Sequence, residues 1–428
     1  MHIARVHIEN IRGFDSVDLD FMRPGGQLAG WTVLAGRNGA GKSTLLKALA
    51  LAVAGAEAAQ KLVETYRDWI RVNQRDARVV TWLQIAELPS LVRCELSWGR
   101  KTYAGEPHLL GLVGLGSTVD LEEQSRCPFL IGYGPYRRLS GHATDAQRLM
   151  SGPESISRLV SLFREDSSLI ECVQWLRDIY LRRLEKRAGA AKLEEAVLRL
   201  LNDGLLPGDV QVEGIDSEGL WVCHQGVRLS LDELSDGYRT VAALVMDIVR
   251  HLHRAHGELR VEPSVDSEGP YQRVQHSGVV LIDEVDLHLH VSWQKGIGFW
   301  LKRHFPNIQF IVTTHSPFVC QAADPRGLIR LPAPGEDRQV EHVSEDLYNT
   351  VVNGSADDAV LTELFGLDTP YSAESEKLRD EVARIEAELQ TGKATSQDEQ
   401  RLEELRSRLP QTPGANIEQL LRKLTADA

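Results

Sequence analysis

The sequence predicts an α/β protein built around a phosphate-binding loop, and three observations lead there. The glycine-rich segment GRNGAGKS at residues 36–43 stands between an apolar strand-like run and a Leu/Ala-rich helix. A second apolar run, residues 279–282, ends in the carboxylate pair Asp283 and Glu284. A third, residues 310–313, follows one predicted helix later (residues 291–303) and leads into His315. Short continuous apolar runs are the mark of central parallel strands, because both faces of such strands are covered.

The remaining elements follow in chain order. Ile3, Val6 and Ile8 begin one strand, Val17, Leu19 and Phe21 alternate in a second, and residues 31–35 form a buried third. Residues 43–59 read as the helix after the glycine loop, 79–85 and 91–98 as strands, 109–117 as a glycine-rich loop, and 129–133 as another buried strand. Residues 155–206 carry apolar side chains at helical spacing and read as an inserted helical subdomain. Residues 210–229 read as a hairpin, 231–255 as a capped helix, and the polar stretch 262–277 as an exposed loop. Beyond about Pro370, Leu378, Val382, Ile385 and Leu389, then Leu402, Leu405 and Leu409, step by three and four. That spacing predicts an antiparallel helical hairpin, with a last short helix at 417–424. The expected division is therefore 1–140 and 209–370 for the two parts of the core, 141–208 for the insertion, and 371–428 for the hairpin.

Bulk properties narrow the class. The 428 residues carry 42% apolar and 25% charged side chains, an ordinary globular mixture. A net charge of -13 argues against a surface wholly devoted to nucleic acid, although a local basic patch stays open. The five cysteines are scattered singly, as expected for reduced thiols in a cytoplasmic protein. The opening residues alternate like a strand and no apolar run is long enough to span a bilayer, so no membrane role is expected.

The chemistry lies in four motifs. In residues 36–43 the glycines let backbone N–H groups face phosphate oxygens, and the following helix offers its positive end. Asn38, Gly39, Gly41, Lys42, Ser43 and Thr44 are the expected contacts to ATP, with Lys42 on the outer phosphates and Ser43 on Mg2+. Asp283 is the expected second holder of Mg2+, and Glu284 the base that orients and deprotonates the attacking water. A neutral His315 is placed to reach the γ-phosphate. LSDGYR at residues 234–239 opens a helix, with Ser235 as its cap and Gly237 allowing close approach.

In this order the motifs resemble the ATP-binding-cassette ATPases. More narrowly they resemble the branch holding SMC and RecF proteins and the OLD-type ATPases of phage defence. IENIRGF at the start is similar to the first strand of such heads, and LSDGYR to their signature, with Asp236 and Tyr238 departing from it. DEVDLHLHVSWQ (residues 283–294) and TTHSPF are most like OLD and related defence heads, such as those of Septu-like, retron-associated and PARIS-like systems. The resemblance implies a mixed sheet flanked by helices and a head-to-head homodimer. Ser235 and Gly237 of one copy would then meet the γ-phosphate held by the other, with Asp286 near the seam.

The resemblance has gaps. No glutamine stands where such heads carry one, so Tyr136, Arg137 or Arg138 is the expected substitute, with Gln84 weaker. Arg137 and Arg138 read equally well as a solvated basic pair. Asp236 adds negative charge near the phosphates and implies slower hydrolysis. His288 and His290 follow the carboxylates too directly to suggest a separate metal site. Residues after His315 show no acidic cluster for a nuclease, so a separate effector protein is expected. The expected role is an ATPase sensor or scaffold in antiphage defence, the alternative a RecF-like repair ATPase that binds DNA.

Overall fold

The computed structural model describes residues 1–99, 129–137, 144–206, 208 and 210–409. The predicted loop at 109–117, the helix at 417–424, Cys127 and Arg138 lie outside them. In chain order the first half runs β1 (His2–Ile11), β2 (Phe14–Asp20), β3 (Gly30–Ala35), α1 (Lys42–Leu62), β4 (Asp76–Gln84), β5 (Val92–Gly99) and β6 (Leu130–Tyr133). Helices α2 (Thr144–Met150), α3 (Glu154–Ser157), α4 (Val160–Phe163), α5 (Ile170–Leu184) and α6 (Ala190–Leu201) follow. Next come β7 (Val210–Asp216), β8 (Gly219–His224), β9 (Val227–Ser230), α7 (Asp236–His256), β10 (Val261–Asp266) and β11 (Gly269–Val274). The core then closes with β12 (Gly278–Ile282), α8 (Val291–His304), β13 (Ile308–Thr313), α9 (Pro317–Cys320), β14 (Leu328–Arg330) and β15 (Glu341–His342). Two short helices, α10 (Glu345–Asn353) and α11 (Ala356–Val360), precede α12 (Ala373–Gln390) and α13 (Ser396–Arg408).

The central sheet has the order β15-β14-β3-β13-β12-β6. Its four pairs of neighbours from β14 to β6 are parallel, and β15 is an antiparallel edge. Such a sheet must be covered on both faces, and alternate residues show how. Val279 and Leu281 of β12 enter one apolar cluster, Val280 and Ile282 the other. The first cluster is closed by α1 and a four-stranded antiparallel sheet, β2-β1-β4-β5. Helix α1 is thus caught between two sheets, which is why Leu45, Leu46, Leu49 and Leu51 are all fully buried although they do not share one stripe. The second cluster is closed by α5, α6, α7 and α8. Gln309 on β13 ties the layers together: it accepts from the Ile3 N–H at 2.7 Å and donates to the Ile3 carbonyl at 2.9 Å.

Two expectations need correction. The polar stretch 262–277 is no plain loop, for β10 and β11 pair antiparallel around an Asp266–Gly269 turn. The ribbon hides in the sequence because its middle is largely exposed, with Val265 at 76%, so apolar alternation never develops. Residues 210–229 form not a hairpin but part of a three-stranded meander, β7-β8-β9. Strand β9 was invisible because none of its four residues is fully buried.

The chain separates into one unit at Met1–Gly366 and another at Leu367–Ala428. Within the second, α12 and α13 bury Val382, Ile385, Leu402 and Leu405 against each other. Arg401 pairs with Glu381 at 3.0 Å and Arg406 with Glu386 at 2.7 Å across the pair. Thr395 and Asp398 form a capping box that starts α13. No helix among the described residues is long and apolar enough to cross a membrane.

Candidate functional site

Strand register brings the motifs level. Val312 of β13 pairs with Val33 of β3 and with Ile282 of β12, and Ile282 pairs in turn with Tyr133 of β6. The four segments leaving these strands therefore begin at the same edge, the carboxyl edge where open α/β sheets bind ligands. They are residues 36–43, 134–137, 283–288 and 314–316.

In the first segment, Gly39 (φ 80°) and Gly41 (φ 91°) hold the left-handed backbone that turns amide groups inward. Gly41 has a second reason to lack a side chain. A Cβ there would stand 2.5 Å from the ring of Phe14, the aromatic of IENIRGF. Asn38 and Gly39 are exposed at the rim. Lys42, only 7% exposed as a residue, donates through its ammonium to the carbonyls of Gly36 at 2.8 Å and Arg37 at 3.2 Å. Burial lowers its pKa, while Asp283, Glu284 and Asp286 pull the other way. Arg37 itself donates to the Gly366 carbonyl at 2.8 Å.

The second motif meets the first directly. Ser43 Oγ donates to Asp283 Oδ1 at 3.0 Å, across 240 residues of sequence. Thr313, the last residue of β13, completes the junction: its hydroxyl donates to the same Asp283 oxygen at 2.6 Å and accepts from the Glu284 N–H at 2.7 Å. Glu284 has φ 46°, in the left-handed region that side chains other than Asn and Gly rarely occupy. Such a conformation costs on the order of 1–3 kcal/mol and is held by its surroundings.

Asp286 accepts hydrogen bonds from Thr314 Oγ1 and, at 3.3 Å, from the His315 N–H, fixing the turn that carries the imidazole. Burial, then the charge of Lys42, lowers the His315 pKa, which favours the neutral ring. His290 is accounted for locally, since its Nδ1 accepts from the Ser292 N–H at 3.3 Å and caps α8.

The signature segment stands apart from this cluster. Ser235 is the N-cap residue of α7, but its side chain makes no capping bond and is exposed. A Cβ on Gly237 would stand 3.0 Å from the Trp293 ring and 3.1 Å from the His288 carbonyl. Among the described residues no hydrogen bond joins Ser235 or Gly237 to residues 36–43. Asp236 pairs with Arg239 on the same helix turn.

Two residues escaped the sequence reading. Thr313 looked like one more strand position. Arg12, in the β1–β2 turn, points Nη1 at Thr44 Oγ1 over 3.4 Å, and its guanidinium lies 4.6 Å from the Trp69 ring centroid. Arg137, expected either to stand in for the missing glutamine or to be half of a solvated pair, is buried, 2% exposed. For Arg12 the only available signal was its neighbour Phe14 in IENIRGF.

The sheet, the glycine loop on α1 and the carboxylates beside Ser43 define the class: the fold is that of a P-loop head, similar to those of ABC-type ATPases. Residues 222–321 match the AAA_21 family ("AAA domain, putative AbiEii toxin, Type IV TA system") and residues 5–78 match AAA_23 ("AAA domain"). The chain is related to the "Septu protein PtuA" of Bacillus mycoides, with 25% identity over 315 residues, 74% of this chain and 38% of that protein. It is also related to the "Retron Ec83 probable ATPase" of Escherichia coli, with 42% identity over 109 residues, 26% of this chain and 18% of that protein. The chain thus spans well under half the length of these relatives. Among solved structures, the SMC head domain from Thermotoga maritima aligns over 80% of this chain and 100% of its own, at 16% identity and a TM-score of 0.44.

Proposed function

We propose that this chain binds and hydrolyses ATP between two copies of itself and uses that cycle to control a separate effector, a nuclease for preference, in antiphage defence. The observation that carries the catalytic part is the 3.0 Å meeting of Ser43 and Asp283 with Glu284 as the next residue. Residues 38–44 would bind the triphosphate, with Lys42 on its outer oxygens and the amino end of α1 behind it. The Ser43 hydroxyl and the Asp283 carboxylate are hard oxygen donors on one point, the set that suits Mg2+. When bound, Mg2+ neutralises charge on the phosphates and fixes their geometry. Glu284 would accept the proton of the attacking water, and neutral His315 would hydrogen-bond the γ-phosphate. Asp286 keeps that histidine in place.

The isolated signature supports the dimeric part of the reading. The Ser235 side chain is exposed, makes no capping bond and, among the described residues, has no hydrogen bond to residues 36–43, the state expected of a group that serves another subunit's nucleotide. Closing on ATP and opening after hydrolysis would turn a local change of charge into motion of whole heads. The defence role rests on the relatives named above, and in this reading the chain cuts nothing itself.

Glu284→Gln is the test. It should bind ATP as the parent does, lower turnover by about 100-fold or more, and hold the closed form with its effector when purified in Mg-ATP. Turnover at the parent rate would remove Glu284 as the base. A trapped protein that brings down no second polypeptide from its native host would remove the effector.

A further inference from the structure

The sequence left open what replaces the missing glutamine after β6, and the fold gives Arg137 a different task. Among the described residues, every hydrogen bond this buried guanidinium makes goes to a main-chain oxygen. One terminal nitrogen donates to Gly134 at 2.8 Å and to Asp283 at 2.9 Å; the other donates to Glu284 at 3.0 Å and to Val285 at 3.3 Å. Three consecutive carbonyls thus turn toward one cation. Extended backbone would send alternate carbonyls to opposite sides. The left-handed Glu284, φ 46°, is what gathers them. The N–H groups of the same residues are tied on the other side, Asp283 to the Tyr133 carbonyl at 2.8 Å and Val285 to the Thr313 carbonyl at 3.0 Å, with Glu284 on the Thr313 hydroxyl.

We propose that Arg137 is a positioning residue for hydrolysis: it clamps the 283–285 turn in its left-handed form and so aims the Glu284 carboxylate, without touching nucleotide. The inference rests on the reading of Glu284 as the base. Chemistry favours arginine for the task. Its planar fork reaches several acceptors at once, whereas lysine offers a single point of donation. Burial lowers the Arg137 pKa to about 10, with Asp286, Asp283 and Glu284 opposing, so the clamp stays charged at neutral pH.

The experiment uses Arg137→Lys and Arg137→Gln, each alone, with Glu284→Gln, and with Glu284→Asn, since asparagine accepts left-handed backbone more readily. For the single variants the ATP dissociation constant should stay within about threefold, and kcat should fall by about tenfold or more. Combined with Glu284→Gln, neither should lower the residual rate further, because both changes disable one group. Urea midpoints supply a readout free of catalysis. Arg137→Gln should lower the midpoint of the parent and lose at least about half of that effect beside Glu284→Asn. Two results would overturn the clamp: a dissociation constant raised about tenfold with kcat intact, which makes Arg137 a nucleotide contact, or additivity in both cycles, which makes it ordinary core. If Glu284→Gln turns over ATP normally, the reading of the base fails by itself, and the urea cycle still decides whether Arg137 holds the turn.

Discussion

Thr313 shows how much one hydroxyl can organise. It joins the carboxylate that meets Ser43 to the backbone of the residue that follows it, yet it sits in an apolar run and reads as filler. A β-branched strand residue carries no chemical signature until the partner loop is in place, and that partner lies 30 residues away. Lys42, by contrast, was readable from its spacing alone. Lys42→Ala should remove tight nucleotide binding while leaving the fold intact, which fluorescence titration with an ATP analogue would check. Retained affinity would mean the loop amides suffice. Buried histidines give a second expectation at this scale. Burial chiefly pushes His251 down to about 3, and burial with the neighbouring His256 and Arg260 pushes His276 down to about 4. Unfolded, both would take a proton near pH 6.5. The native state refuses it, so their contribution is complete above about pH 6.5 and drains away as pH falls toward 4. Urea midpoints at pH 7 and pH 5 should therefore differ, and less so in His276→Asn.

Elements were easiest to foresee where both faces are buried. Strands β12 and β13 and helix α8 are strand, helix and strand in sequence as in space, because continuous apolar runs admit little else. The β10–β11 ribbon and strand β9 escaped for the opposite reason: they bury almost nothing, so pairing of their main chains leaves no trace in side-chain pattern. The hairpin of α12 and α13 was legible from its three-and-four steps, and Ile385 and Leu405, both fully buried between the helices, anchor it. As this pair has its own core, removing residues 372–428 should leave ATP affinity within about twofold and abolish retention of a partner. Affinity lost along with the hairpin would show that it serves the nucleotide site instead.

At the scale of the whole molecule, the carboxyl edge of the sheet was predictable from motif order, but the clasp of Arg137 was not. A basic pair after a strand gives no hint that one member turns inward to three carbonyls. Assembly is the outstanding expectation. Glu284→Gln should double its mass by light scattering in Mg-ATP and remain single in ADP, and Ser235→Arg should block the doubling while sparing ATP affinity. An unchanged mass in ATP would refute the pairing of heads. The contact between Phe14 and Gly41 bears on how such a protein can be re-engineered or can diverge. Glycine in the cradle formed by residues 36–43 leaves room for a ring borrowed from the opening hairpin, and that hairpin is stitched to β13 through Ile3 and Gln309. The cradle is therefore not a portable cassette: a chimera that imports it without its own first twenty residues should arrive with a misfitted floor.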